Sequence, residues 1–114
     1  MAQTNNSQVA TAWVATICKH VNRWIDSYRS DLYVAVALDK FVEMLNDFLK
    51  AVGENLDVAK EDVKRCLRWD DTVKVVDVDG REVLWLWGGW RLYDMIIRVA
   101  KYAAKEGEVA VIAP

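Results

Sequence analysis

The chain has 114 residues, a net charge of −2 and an apolar fraction of 54%. A chain of this size suits one domain, and so apolar a composition excludes an intrinsically disordered chain. The slightly acidic balance excludes a general positive field, so nucleic-acid binding would need a local basic surface. No stretch is apolar for the length of a membrane span, and the polar start lacks the pattern of a secretion signal. We therefore expect a cytoplasmic protein without membrane contact.

The first predicted unit is a pair of helices. Residues 1–6 are polar and predicted to be loose, whereas residues 7–52 repeat apolar side chains at steps of three and four. Ser7 is a candidate N-cap of the first helix, Ser30 of the second, and Gly53 follows the second as a C′ glycine. Because the joint between the two helices is short, we expect them to form a long antiparallel αα-hairpin.

Residues 57–87 predict a short helix followed by a β-hairpin. Asp79-Gly80 lies between two runs of β-branched and aromatic residues, and this dipeptide favours a two-residue type I′ turn. With that turn, Val78 pairs with Arg81, and Lys74 pairs with Trp85. One face of the hairpin then holds four apolar side chains and must be buried against helices. Its members are Val73, Val75, Leu84 and Leu86.

A closing helix over residues 90–106 and an apolar tail over 108–114 complete the chain. The tail has strand character and is predicted to add a third strand to the hairpin or to a neighbouring chain. The predicted fold is a single α+β domain, mostly helical, with an αα-hairpin, a short helix, a β-hairpin and a closing C-terminal helix.

The cysteines do not form a motif. Cys18 and Cys66 lie far apart, without the close spacing of a metal-binding or redox pair. We expect two buried free thiols in a reducing compartment, with a disulfide as the alternative.

Residues for catalysis are not apparent. His20 is the single histidine and is expected on the polar surface of the first helix. The acidic pairs Glu61-Asp62 and Asp70-Asp71 are adjacent in sequence, so they cannot face one another across a substrate, and we expect them in solvent. There is no nucleotide-binding glycine loop and no metal-ligand spacing. The sequence predicts a non-enzymatic protein without a cofactor or metal.

Two tryptophans of the second hairpin strand suggest a different role. Trp85 and Trp87 share one strand face, with Lys74 beside them. Exposed aromatic rings next to a cation can stack on unpaired bases. The alternative is that the closing helix folds back across Gly88-Gly89 and buries both rings, since large exposed aromatic surfaces are rare on monomers.

The order of elements from Phe41 to Trp87 resembles a winged helix-turn-helix: helix, connector, short helix, tight hairpin. The resemblance implies that the short helix, VAKEDVKRCLR, lies in the DNA major groove and that the hairpin wing touches the backbone. It covers about 45 residues. The side chains that would then face DNA are Lys60, Lys64, Arg65, Arg68, Lys74 and Arg81.

The runner-up interpretation is a small non-catalytic subunit of a larger assembly. Filament coat proteins and the small helical subunits of CRISPR effector complexes are similar in general make-up, because they combine long helices with an apolar closing helix. In either case we expect a homodimer or higher homo-oligomer. Such a subunit could also touch nucleic acid through the closing helix, at Arg91, Arg98, Lys101 and Lys105.

Overall fold

The computed structural model describes residues 6–53, 57–66 and 71–105, with side chains described between residues 10 and 104 of these ranges. This part of the chain forms four helices and three strands, which confirms the predicted mostly helical α+β class. In chain order they are α1 (Asn6–Tyr28), β1 (Tyr33–Ala37), α2 (Leu38–Ala51), α3 (Lys60–Cys66), β2 (Val73–Val78), β3 (Arg81–Trp87) and α4 (Gly89–Lys105).

The hairpin β2–β3 has the predicted turn and register. Asp79 and Gly80 both have positive φ angles, 53° and 81°, as a type I′ turn requires. The Gly80 amide donates a hydrogen bond to Asp77 Oδ1 at 2.8 Å, which closes the turn. Val78 pairs with Arg81, and Lys74 pairs with Trp85. These contacts are local in sequence, which explains why the sequence predicts them.

The predicted αα-hairpin is wrong. Residues 33–37 form β1, so α2 begins only at Leu38. β1 runs antiparallel to β3, and the sheet has the order β1-β3-β2. Ser30 therefore does not cap a helix. Its amide donates a hydrogen bond to the Trp87 carbonyl at 3.4 Å, at the end of the β1–β3 pairing.

The physical reason is the free edge of β3. A strand beside it satisfies its own backbone groups and those of β3 at once. YVAVA also alternates, with Val34 and Val36 partly buried against the core while Tyr33, Ala35 and Ala37 are exposed. The tail at 108–114, predicted to supply a third strand, lies outside the described residues.

The core lies between the sheet and the helices. α1 packs against α4 and α3, and α2 packs against α4 and the sheet. The inner side of the hairpin is closed, since Val73, Leu84 and Leu86 have no exposed area and Val75 packs against them. Fully buried side chains from the helices complete the core. They include Trp13, Val21, Leu38, Leu45, Leu49, Leu92 and Ile96.

A disulfide joins Cys18 of α1 to Cys66 of α3. The expectation of free thiols is therefore wrong. The two Cα atoms are 6.2 Å apart, within the range that a disulfide spans without backbone movement. No spacing rule indicates this pair, because the packing of α3 on α1 brings the two residues together.

The joint before α4 requires glycine. Gly89 has a φ of 63°, in the left-handed region. A Cβ atom at Gly88 would lie 2.5 Å from the Tyr28 carbonyl oxygen, so the end of β3 passes directly against the end of α1. This close approach directs α4 to the helical side of the sheet. None of the described helices has both the length and the apolarity needed to cross a bilayer.

Candidate nucleic-acid interface

Two neighbours hold α3 in place. The disulfide ties its last residue to α1, and Val63 is buried in the core. The Val58 amide, just before the helix, donates a hydrogen bond to Asn46 Oδ1 of α2 at 2.7 Å. α3 is therefore a short helix with a fixed orientation, and its two lysines are only partly buried.

Glu82 of the hairpin holds the two lysines of α3. Lys60 Nζ lies 3.3 Å from Glu82 Oε1 and 3.5 Å from Asp39 Oδ1, and Lys64 pairs with Glu82 Oε2. Both lysine side chains keep more than a third of their area exposed, 38% and 39%. Lys60 and Lys64 thus lie on the same side of α3, but their charge is partly neutralised by acidic neighbours.

These contacts shift the ionisation of the network. The hydrogen bond from Lys64, with smaller contributions from Lys60, lowers the pKa of Glu82 against the opposing effect of partial burial. The hydrogen bond to Glu82, then the charge of Asp39, raises the pKa of Lys60. Both shifts favour the charged forms, so the α3–β3 contact is an ionic one.

Arg65 is directed elsewhere. Its guanidinium binds the Asp62 carboxylate one turn earlier. The sequence predicts Asp62 in solvent, but it is 7% exposed, so that expectation is wrong. Since a buried carboxylate needs a partner, the pairing explains why Arg65 follows it at this spacing. Arg68 lies outside the described residues.

Lys74 and Arg81 belong to a different surface. Both are exposed. Side chains alternate along a strand, and both residues share parity with Trp85 in the hairpin register, so they lie on the side of the sheet away from the core. Within the described part of the chain neither of them forms an ion pair. They are the predicted site residues whose charge is available to a ligand.

An aromatic cluster occupies the same side of the sheet. Tyr33 of β1 stacks on Trp85 at a ring-centroid distance of 4.2 Å, and it contacts Trp87 at 5.1 Å. Trp85 and Trp87 meet edge-on at 6.0 Å. Both tryptophans remain partly exposed, so α4 does not bury them. Sequence reasoning missed Tyr33 because it placed this residue in a helix, although the alternation in YVAVA was available as a sign of a strand.

The basic residues of α4 lie on its exposed side. The Arg91 guanidinium lies 5.5 Å from the centre of the Tyr28 ring, and Lys101 Nζ lies 5.4 Å from that of Phe48. Such contacts cover aromatic faces with cations. Arg98 is exposed nearby, and the side chain of Lys105 lies outside the described ones. Asp94 lines a shallow cleft together with Arg91, Arg98 and Lys101, so this surface carries both signs of charge.

Residues 6–53, 57–66 and 71–105 contain no candidate metal centre. This part of the chain brings together no group of three or more His, Cys, Asp or Glu side chains that could hold a metal ion. His20 is half-buried on α1. The Tyr93 hydroxyl lies against Met44, and burial, then the charge of Asp94, raises the pKa of Tyr93. A raised tyrosine pKa favours the neutral hydroxyl over the phenolate.

No protein-family model, no curated protein and no solved structure matches this chain.

Proposed function

We propose that the chain is a non-catalytic nucleic-acid-binding protein of the winged helix-turn-helix kind, in which α3 and the β2–β3 turn contact duplex DNA. The observation that carries the proposal is the direct contact between α3 and the wing. Lys60 and Lys64 are held to Glu82 of β3, so helix and wing present one continuous surface.

The arrangement of elements supports the proposal. α2 leads through a connector to α3, and the hairpin follows at once, while β1 completes a three-stranded antiparallel sheet. In a helix-turn-helix the second helix enters the major groove and the first crosses the backbone. The disulfide and the Asn46 hydrogen bond fix α3 in advance, which reduces the ordering cost of binding.

The ion pairs of Glu82 mean that DNA has to compete with a protein carboxylate for the lysines of α3. Phosphates have to replace Glu82 as partners of Lys60 and Lys64, because one carboxylate now holds both lysines. Partly exposed ion pairs are weak, with a typical value of about 0–1 kcal/mol, so such an exchange is affordable. Glu82 then acts as a competitor of the phosphate backbone, which limits non-specific binding.

The test is duplex affinity with Glu82→Gln. Removing the competing charge frees Lys64 and leaves Lys60 with Asp39 alone, and we expect roughly 5-fold tighter binding to a labelled duplex, measured by fluorescence anisotropy across a salt series. Glu43→Gln is the matched control, since it makes the same charge change on α2, where Glu43 faces Lys40. Lys64→Ala should weaken binding and reduce the salt slope by about 0.9.

Three results would contradict this assignment. They are duplex binding too weak to detect at low salt, equal affinities for the Glu82 and Glu43 variants, and a salt slope that Lys64→Ala leaves unchanged. Circular dichroism of each variant separates loss of binding from loss of folding.

The proposal includes a cytoplasmic location and a homodimer. Disulfides are rare in cytosolic proteins of mesophiles but occur in those of hyperthermophiles. Alkylating the protein in freshly lysed cells, followed by mass measurement, shows whether Cys18 and Cys66 are paired in the cell. Complete alkylation would mean that the cellular form is the dithiol.

An assembly subunit is the second candidate function, and the exposed aromatics on the helices favour it. Trp24 of α1 is 58% exposed, while Trp90 and Tyr102 of α4 are 60% and 61% exposed. Side chains of this size are enriched at the centre of interfaces. A mass above that of a dimer at micromolar concentration, reduced by Trp90→Ala, supports it, and a monomer at all concentrations removes it.

A further inference from the structure

The outer sheet face is the side of the sheet away from the core, defined by Tyr33, Lys74, Val76, Arg81, Trp85 and Trp87. Its members come from all three strands, and the register places Ala35 beside Trp85 and Lys74 on the other side of it. No described helix covers this face, since Tyr33, Ala35 and Ala37 are exposed and the tryptophans are only half-buried.

We propose that the outer sheet face binds single-stranded nucleic acid, with unpaired bases on the aromatic cluster and phosphates at Lys74 and Arg81. The aromatic cluster of this face lies on the opposite side of the sheet from Glu82, whereas Lys74, on the edge strand β2, also lines a cleft with Lys64 and Glu82.

The aromatic cluster is prepared for stacking. Tyr33 stacks on Trp85, yet 51% of the residue remains exposed and accessible to a ligand. Three rings held against one another lose little freedom on binding, which favours affinity. Ala35 and Ala37 leave room beside the rings, because their side chains are short. Aromatic platforms of this kind accept any base, since every base has a π-face.

The charges on this face select a polyanion. Along β2 and β3 the outer side carries Lys74 and Arg81 and no acidic residue, because the register places Asp77 and Glu82 on the inner side and Asp79 lies in the turn. A second copy is a poorer partner. A two-fold interface would bring this face against itself, and neither cation would find a carboxylate there. A single strand supplies both flat apolar groups and negative charge.

The strandedness follows from access to the bases. In a duplex the base faces are stacked on each other, so a protein ring reaches them only in unpaired strands. From the Trp87 end to Arg81 the face extends about 20 Å along β3. This length suits a short run of nucleotides, comparable with the smallest site sizes of about four.

The experiment measures binding of a labelled oligothymidylate of about 12 nucleotides by fluorescence anisotropy. Tyr33→Ala should raise Kd about 5-fold or more, since stacking on one ring contributes that much. Trp24→Ala is the matched control, because it removes an exposed ring from α1, and its Kd should stay within about 2-fold of wild type. Lys74→Glu should weaken binding about 10-fold. Lys19→Glu makes the same charge change on the exposed side of α1 and should leave the affinity unchanged.

Four outcomes overturn the proposal: absence of oligothymidylate binding by the wild-type protein, wild-type affinity in both Tyr33→Ala and Lys74→Glu, equal losses in the test and control variants, or a concentration-dependent dimer that Tyr33→Ala dissolves. The last would make this face an interface between copies. Tyr33→Ala should leave duplex binding unchanged, so failure of the duplex proposal and failure of this one are separable. Circular dichroism confirms that each variant is folded.

Discussion

The two faces of the sheet have similarly apolar sequences and opposite surroundings. On the inner face Val73, Leu84 and Leu86 have no exposed area. On the outer face Trp85 and Trp87 are larger and at least as apolar, yet they remain partly open. The difference comes from the helices. Gly88-Gly89 turns the chain so that α4 joins α1 and α2 on the inner side.

The comparison shows that apolar character marks a residue for contact, not for the core. Burial of the inner face stabilises the fold, whereas the outer face keeps its surface for another molecule. The charges follow the same division. Lys60 and Lys64, near the inner edge of the hairpin, have acidic partners, while Lys74 and Arg81 on the outer face form no ion pair with the described residues.

The largest expected effect is on stability, and it tests the two faces directly. Leu84→Ala removes a fully buried side chain and should cost about 2–5 kcal/mol. Val83 precedes Leu84 in β3 and faces the outer side, so Val83→Ala should cost about 1 kcal/mol or less. Guanidinium unfolding followed by circular dichroism measures both. Equal losses would mean that the outer face is covered in solution.

The disulfide should have the next largest effect on the free energy of unfolding, and it lies on the helical side of the sheet. Reduction removes a cross-link between residues 48 apart in sequence, which should lower the free energy of unfolding by about 2–4 kcal/mol. Denaturant curves with and without dithiothreitol measure the loss, and Cys18→Ser/Cys66→Ser should be insensitive to the reductant. If reduction weakens oligothymidylate binding as strongly as duplex binding, the two surfaces are not independent.

The smallest effect is the pH dependence of the α3–β3 ion pairs. Because the pKa of Glu82 is lowered in the folded protein, the unfolded chain takes up this proton at a higher pH. The stabilisation is complete above pH 4.5, the ordinary value, and is lost as pH falls through the lowered pKa. Urea unfolding between pH 5 and pH 3 should therefore be less pH-dependent in Glu82→Gln than in wild type. Glu43→Gln serves as the charge control. Equal pH dependence of unfolding in both variants would show that the ion pairs of Glu82 do not contribute to stability.

Many residues of the candidate interface could be predicted individually, but the ion pairs and ring contacts between them could not. The spacing of Lys60 and Lys64 places both on one side of a helix, and the turn at Asp79-Gly80 fixes the neighbours of Lys74. The sequence does not reveal that Glu82 holds both lysines, because the contact depends on how α3 lies against β3. Tyr33 was missed for the same kind of reason, since its partners are more than 50 residues away.

Local sequence alone predicts the α1 helix, the end of α2 just before Gly53, the hairpin turn and the β2–β3 register. Each depends on backbone preferences and contacts between residues close in the chain. Long-range packing is needed to form a strand from residues 33–37, to bring Cys18 to Cys66, and to set which side of the sheet the helices cover. Those outcomes depend on surfaces far apart in sequence, because β1 forms its hydrogen bonds with β3, about 50 residues further along the chain.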